Sequence, residues 1–198
     1  MKSVRKALKE ASHCVTRHNP ADRNLIIFTV GHSTLSLDDF VRLLRAYGIR
    51  RVVDVRTIPR SRHNPQFNQE DFRRALHNRG LHYRHMKDLG GLRRAHVDSV
   101  NTGWRNASFR GFADYMQTPD FQCAVDRLVA LAASEPTAIM CAEAVPWRCH
   151  RSLIADALLV RGVDVCHLFT TIKSSPHSMT PFASVSGQQV TYPNPEQS

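Results

Sequence analysis

The chain has 198 residues, 42% of them hydrophobic, and a formal charge of +10, which is typical of one folded domain with flanking segments. No apolar stretch approaches the roughly 18 residues of a membrane span, and the basic start "MKSVRKALKE" lacks the apolar core of a secretory signal. The five cysteines have no disulfide-framework spacing. We therefore expect a cytoplasmic protein with free thiols and no membrane partner.

Most of the excess positive charge lies in one third of the chain. Residues 50–110 contain fourteen Arg and Lys against five Asp and Glu, a net charge of +9, and arginine dominates. Arginine binds phosphate and carboxylate groups through paired hydrogen bonds. Three interpretations stay open: a solvated basic face, a surface that attracts nucleic acid, or arginines that line a pocket for a small anion.

The predicted organisation has three parts. Residues 1–24 form a basic N-terminal appendage, because "TRHNPADRN" interrupts any helical pattern. Residues 25–172 form a single α/β domain. Residues 173–198 are rich in Ser, Pro and Gln without periodicity, which predicts a disordered or draped tail. We expect the domain to stay folded when residues 1–20 and 176–198 are removed.

The first elements of the domain form a βαβ unit. The apolar run "LIIFTV" predicts a strand over residues 25–30, and "SLDDFVRLLRAYG" predicts a helix with Ser36 as N-cap and Gly48 as its end. The β-branched run in "IRRVVDVR" predicts a second strand. The two strands should be parallel, with a right-handed crossover between them.

Strand and helix patterns continue to alternate along the chain. A helix over residues 70–78 and a short strand in "LHYRHM" precede a long connection, which is typical of a functional loop. Two helices separated at Pro119, the strand "TAIMCAE", the helix "CHRSLIADALLVRG" and the strand "VDVCHLF" follow. This order predicts an α/β layered fold with a mainly parallel central sheet flanked by helices.

Polar side chains follow three of the predicted strands, and parallel sheets bind ligands outside the carboxyl ends of their strands. We therefore predict that one pocket is lined by His32, Asp54, Arg56, Glu143, Cys149 and Arg151. The full set of predicted substrate-binding residues is Ser33, Asp54, Arg56, Asn68, Arg148, His150 and Arg151. An anion is expected at the start of the helix after Cys149, where backbone N–H groups have no helical partner.

Three residues are candidate catalytic groups. Glu143 lies at the mouth of an apolar strand and suits a general base or nucleophile, unless it pairs with Arg56 or Arg151. His32 suits an acid–base role or anion binding, or it anchors the loop that carries it. Cys149 should have a lowered pKa at a helix start.

The cysteines leave further alternatives open. A sulfur-transfer cysteine fits Cys141 or Cys149, whereas Cys141 can also be a small core residue. A tyrosine-phosphatase signature is absent, because Trp147 and Ala155 stand where the arginine six positions after each cysteine would be. A metal site would draw on Cys141, Cys149, His150 and His32, but the spacing of the cysteines is unlike that of structural zinc sites. No metal and no other cofactor is predicted.

Five ordered segments carry a family resemblance: "TVGHSTLSLDDFVRLL", "VVDVRTIPRSRHNPQFN", "LHYRHMKDLGG", "FADYM" and "MCAEAVPWRCHRSLIADAL". Their order resembles the domain of unknown function 488 family, from about Thr29 to Leu168. The resemblance implies a compact α/β domain found widely in bacteria, with no assigned activity. The positions that match the family pattern are Gly31, His32, Ser33, Asp54, Arg56, Pro59, Ser61, Phe67, Asn68, Leu89, Gly90, Gly91, Cys141, Glu143, Cys149, His150 and Arg151.

Two functions are compatible with these patterns. The first, which we favour, is an enzyme, such as a hydrolase or transferase, acting on a small anionic substrate of phosphate or nucleotide type. It explains the polar residues at three strand ends. The second is a nucleic-acid-binding or nucleic-acid-processing protein that uses the arginine-rich region 50–110, which explains the charge but not Glu143 and the cysteines. The sequence indicates no oligomeric state.

Overall fold

The computed structural model describes residues 25–194, which form a central sheet with helices on both faces. Six strands in the order β3-β2-β4-β1-β5-β6 make up the sheet. They are β1 (Ile26–Gly31), β2 (Arg51–Asp54), β3 (His82–His85), β4 (Thr137–Cys141), β5 (Asp164–Leu168) and β6 (Ser174–Pro176). The first five are parallel and only β6 runs antiparallel, which confirms the predicted α/β layered fold with a mainly parallel sheet.

Five helices surround the sheet, together with a separate two-stranded ribbon near the end of the chain. The helices are α1 (Leu37–Ala46), α2 (Gln69–His77), α3 (Ala107–Tyr115), α4 (Pro119–Ala132) and α5 (Arg151–Leu159). The ribbon pairs β7 (Ser184–Ser186) with β8 (Gln189–Thr191). Within residues 25–194, no helix combines the length and the apolar character that crossing a bilayer requires.

The predicted first strand, helix and second strand are all present, but β1 and β2 are not neighbours. Strand β4 lies between them and pairs with both in parallel. All five residues of β4 are buried, as expected of a central strand covered on both faces. The central position of β4 brings its carboxyl end, with Cys141, between the ends of β1 and β2.

Side-chain capping marks the start of three of the five helices, α1, α3 and α4. The Ser36 side chain accepts the N–H of Asp39 at the start of α1, and Thr118 accepts the N–H of Phe121 at the start of α4. Helix α5 differs from the prediction. It begins at Arg151 rather than near Cys149, because a separate 3₁₀ turn, Pro146–Arg148, takes up the preceding residues.

Alternate residues of the strands pack into two separate apolar layers. Ile139 of β4 contacts the layer built by α3, α4 and α5, which includes Phe112 and Leu153. Met140, its neighbour in β4, contacts the layer built by α1 and α2. Because successive strand side chains point to opposite faces, this alternation shows that helices cover both faces of the sheet.

The segment 173–194 packs against the domain. Strand β6 extends the sheet beside β5, and Val190 and Tyr192 are buried. The Tyr192 hydroxyl donates a hydrogen bond of 2.8 Å to the carboxylate of Asp156 on α5. Of the two states predicted for this tail, disordered or draped, residues 173–194 adopt the draped one, and removing residues from 176 onward would strip an aromatic side chain from the core. Residues 1–24 and 195–198 lie outside the described residues, so the predicted appendage stays a prediction.

Candidate active site

A cavity of about 430 Å³ opens at the carboxyl ends of β1, β2 and β4. Four of the six residues predicted to share a pocket line it, namely His32, Arg56, Glu143 and Cys149. The other two, Asp54 and Arg151, are buried behind its wall at 0% and 1% exposure. The rest of the lining is Thr57, Ile58, Arg60, Ser61, Gly91, Leu92, Ser108, Phe109, Cys141, Ala142, Arg148 and His150.

The segments that follow β1 and β4 are joined backbone to backbone. The N–H of His32 donates to the carbonyl of Cys141 at 3.0 Å, and the N–H of Ser33 donates to the carbonyl of Ala142 at 2.9 Å. A Cβ atom on Gly31 would lie 1.8 Å from the carbonyl oxygen of Glu143. Only glycine fits at this position, so Gly31 permits the close approach that builds the cavity wall.

Arg56 is held in a buried ion pair with Asp54. Its Nη2 donates to Oδ2 of Asp54 at 2.6 Å and to the carbonyl of Phe67 at 2.8 Å. The Tyr83 hydroxyl donates to the same carboxylate at 2.8 Å, and burial together with Asp54 raises the pKa of Tyr83. Asp54 therefore acts as the counter-ion of Arg56, which leaves Arg56 little free charge for a substrate.

His32 is a neutral, anchored side chain. Its ring stacks on Phe67 with centroids 4.1 Å apart, and burial lowers the pKa of His32 to about 4. Nδ1 donates to the carbonyl of Ser33 at 2.9 Å, so Nε2 is the acceptor for Arg56 Nη1 at 3.3 Å. Both ring nitrogens are occupied, which favours the anchoring interpretation of His32 over an acid–base role.

Two free cysteines meet in the cavity wall. Cys141 ends β4, Cys149 precedes α5, and their Sγ atoms lie 2.7 Å apart. Burial opposes ionisation, but the hydrogen bonds with Cys141 and His150 and the charges of His150 and Arg151 lower the pKa of Cys149. Burial and the contact with Cys149 raise the pKa of Cys141. Of the two thiols, Cys149 is therefore the one that ionises more easily, and Cys141 is the one that ionises less easily.

His150 directs one ring nitrogen toward the sulfur of Cys149. Nε2 lies 3.1 Å from the carbonyl of Val55, which can only accept, so Nε2 carries the proton. Nδ1 lies 3.6 Å from Cys149 Sγ, so it accepts from a Cys149 thiol and, once it holds that proton, donates to the thiolate. A Cβ atom on Gly91 would lie 2.4 Å from this Nδ1. Gly91 therefore permits a close approach of the backbone to the His150 ring.

Arg151 is a buried cation without a carboxylate partner within residues 25–194. Nη2 donates to the main-chain carbonyl of Glu143 at 2.6 Å, and Nη1 lies 3.4 Å from Thr29 Oγ1. Burial opposes its charge, but the two neighbouring sulfurs, Cys141 and Cys149, raise the pKa of Arg151. Cys149, whose pKa is lowered, is the neighbouring group able to supply a negative charge beside Arg151.

Two other arginines, Arg60 and Arg148, line the cavity and are exposed, and neither forms an ion pair within the described part of the chain. Glu143 is also exposed there, and its carboxylate makes no ion pair with Arg56 or Arg151. The salt bridge considered for Glu143 is therefore not formed, because Asp54 occupies Arg56 and Arg151 bonds to the main chain.

The profile of the family described as "Domain of unknown function DUF488" matches residues 36–158. The chain belongs to this family. The match confirms the resemblance seen in the sequence motifs and spans the residues from Asp54 to Arg151 that form the site, whereas His32 and Ser33 precede it. No curated protein and no solved structure gave a significant match to the chain.

Besides Asp54 and Arg151, two further predicted substrate-binding residues of this DUF488 protein do not line the cavity. Asn68 accepts the N–H of Ser61 at 2.8 Å and so shapes the loop after β2. Ser33 has a φ of 44°, a conformation that L-residues rarely adopt, and it turns the chain after β1. Both residues support the site without facing it.

Sequence reasoning missed part of the DUF488 cavity lining. Leu92 comes from the long connection between β3 and α3, which only its length marked as functional, and Ser108 and Phe109 lie in the first turn of α3. The adjacent Cys149 and His150 were a usable signal for a nucleophile and its base. Among residues 25–194, no group of three or more His, Cys, Asp or Glu side chains is arranged to hold a metal ion.

Proposed function

We propose that this protein is an enzyme that uses the Cys149 thiolate as a nucleophile toward a small anionic substrate bound in the cavity. The observation that carries the proposal is the buried Arg151, which lacks a carboxylate partner within residues 25–194 and lies beside two thiols. An uncompensated buried charge costs several kcal/mol. A thiolate at Cys149 removes that cost and is the reactive form of cysteine.

The three parts of an activated nucleophile are present. Cys149 is the nucleophile, His150 Nδ1 is the base at 3.6 Å, and the carbonyl of Val55 orients the base through Nε2. His150 takes the thiol proton and returns it to the leaving group. Glu143, at the open side of the cavity, is placed to handle a second proton at the substrate. His32 is a positioning residue that holds Arg56.

The thiolate can be tested by the pH dependence of alkylation. The test protein carries Cys14→Ser and Cys123→Ser. The rate at which iodoacetamide labels Cys149 should reach half of its maximum at a pH well below about 8.5, the ordinary thiol pKa. Cys141→Ser should keep the reactive thiol, whereas Cys149→Ser should abolish it. Peptide mass spectrometry identifies the labelled residue. A Cys149 midpoint at the ordinary thiol value would contradict the proposal.

Arg60 and Arg148 are the proposed anion-binding residues. Iodoacetate is anionic, whereas iodoacetamide is a neutral reagent of similar size. We expect the double variant Arg60→Gln, Arg148→Gln to lower the ratio of the iodoacetate rate to the iodoacetamide rate at Cys149. Each partly exposed charge contributes about 1 kcal/mol at most, so the rate ratio should fall about 5- to 20-fold in the double variant. Arg62→Gln, an exposed arginine outside the cavity lining, is the matched control. An unchanged ratio would remove these arginines from substrate binding.

The proposed chemistry needs reduced thiols. The four described cysteines, Cys123, Cys141, Cys149 and Cys166, are all free. We therefore propose a reducing compartment, the cytoplasm, as the site of action.

The nucleic-acid alternative has weaker support. Several arginines of the basic region are neutralised by carboxylates, which reduces the charge available to a phosphate backbone. These pairs are Arg51–Glu135, Arg56–Asp54, Arg73–Glu70, Arg74–Asp71 and Arg79–Asp38. The alternative also assigns no role to the thiol pair.

A further inference from the structure

We infer that Cys141 is a second reacting thiol, and that the substrate is a disulfide formed by a small anionic thiol. This inference rests on the proposed function, since it takes Cys149 as the nucleophile. It adds the resolving group, the class of bond attacked and the oxidation state of the product. The protein would be a thiol–disulfide oxidoreductase with both cysteines in one cavity.

The contact between the two sulfurs is the central observation. Both Cys141 and Cys149 line the cavity, and their Sγ atoms are 2.7 Å apart although they come from a strand end and a helix start. A hydrolytic enzyme releases its intermediate with water and has no use for a thiol in contact with its nucleophile. A disulfide on Cys149 is different, because the neighbouring thiol can attack it directly.

The reaction balances as two successive displacements. The Cys149 thiolate attacks one sulfur of the substrate disulfide and forms a bond to it. The sulfur–sulfur bond of the substrate breaks, and the first small thiol leaves with the proton that His150 Nδ1 took from Cys149. The Cys141 thiol then gives its proton to His150 Nδ1, and its sulfur attacks Cys149 Sγ and displaces the second small thiolate. Two electrons pass from the protein dithiol to the substrate, and a Cys141–Cys149 disulfide results. An external dithiol reduces this disulfide in the reverse sense.

The cavity suits an organic anion rather than a peroxide. Its volume of about 430 Å³ is far larger than a peroxide requires, and Ile58, Leu92 and Phe109 provide apolar contact beside the two arginines, Arg60 and Arg148. Because Arg56 is paired with Asp54 and Arg151 is buried behind the cavity wall, the two exposed arginines are the ones available to a carboxylate on the substrate.

The test uses dithiobis(nitrobenzoate), an anionic aromatic disulfide, on the full chain with Cys14→Ser and Cys123→Ser. We expect release of two nitrothiobenzoate anions per chain, the second at a rate that does not depend on reagent concentration, and a protein mass without adduct. Cys141→Ser and Cys141→Ala should each release one anion and retain the adduct on Cys149. Two variants are used so that a folding defect in one, checked by circular dichroism, does not remove the test.

The outcomes separate the inference from the proposed function. The chain that keeps both Cys141 and Cys149 could instead release one anion quickly and retain the adduct on Cys149. That result would overturn the resolving role of Cys141 but leave Cys149 as the nucleophile. If the folded protein releases nitrothiobenzoate no faster than the unfolded chain does, both the nucleophile role of Cys149 and the resolving role of Cys141 are overturned. Dithiodipropionate should react at least several-fold faster than its neutral diamide, and equal rates would overturn the anionic substrate class. Faster oxidation of the pair by hydrogen peroxide than by dithiodipropionate would overturn the disulfide assignment.

Discussion

Replacement of Arg151 by methionine should raise the pKa of Cys149 and slow its alkylation near neutral pH by at least about 10-fold. The Arg151 guanidinium is the buried positive charge beside both sulfurs. At a pH below the pKa of Cys149, each unit by which that pKa rises lowers the fraction of thiolate tenfold. Methionine is unbranched and apolar, so it fills much of the same space. The measurement is the pH profile of iodoacetamide labelling at Cys149.

A charge-retaining control accompanies this variant. Arg151→Lys keeps a positive charge but loses the planar guanidinium that donates to the main-chain carbonyl of Glu143 and to Thr29 Oγ1. The pH midpoint of Cys149 labelling should therefore lie between those of wild type and Arg151→Met. Urea unfolding and circular dichroism confirm that each variant is folded. If Arg151→Met has the wild-type midpoint, another group compensates the thiolate, and the argument from the buried cation fails.

Tyr192→Ala should lower the free energy of unfolding by about 3–5 kcal/mol, the usual cost of removing a large buried ring. Tyr192 is fully buried, it packs against Trp104, and its hydroxyl donates to Asp156. Tyr192→Phe should cost less, about 1–3 kcal/mol, because it removes one donor from a buried carboxylate that other donors still satisfy. Urea denaturation gives both values.

Val185→Ala is a suitable control, because this side chain in β7 is about half exposed. Its effect should stay within about 0.5 kcal/mol of zero, as for most surface substitutions. Wild-type stability of Tyr192→Ala would mean that the segment 173–194 does not dock on the domain in solution. The domain would then be expected to stay folded without residues 176–198, as the sequence predicts.

A hydrogen-bonded chain links this terminal segment to the candidate active site. Asp156 Oδ1 accepts from His177 Nε2 at 2.8 Å, His177 Nδ1 lies 3.0 Å from His167 Nε2, and His167 Nδ1 lies 2.8 Å from Thr29 Oγ1. Thr29 in turn accepts from Arg151 at 3.4 Å. Burial lowers the pKa of His167 to about 3, so it stays neutral in this chain. The docked segment thus helps to orient Arg151.

Local patterns in the sequence were sufficient for the fold class and for the existence of the strands β1 to β5 and the five helices, but not for β6, β7 and β8. The apolar stripe of α1 with its Ser36 cap, and the buried runs that became β1 and β4, are properties of residues near one another in the chain. They also placed His32, Arg56, Glu143 and Cys149 at strand ends on one edge. Because parallel strands share that edge, this much of the cavity followed without coordinates.

Only the tertiary structure decided which side chains pair. Asp54, rather than Glu143, neutralises Arg56. Cys141 is a buried core residue that also contacts Cys149. Both outcomes depend on β4 lying between β2 and β1, an order set by packing and pairing between distant segments. The docking of Tyr192 is of the same kind. One aromatic ring creates no periodicity in its own segment, and its burial is decided by the space that the rest of the fold leaves for it.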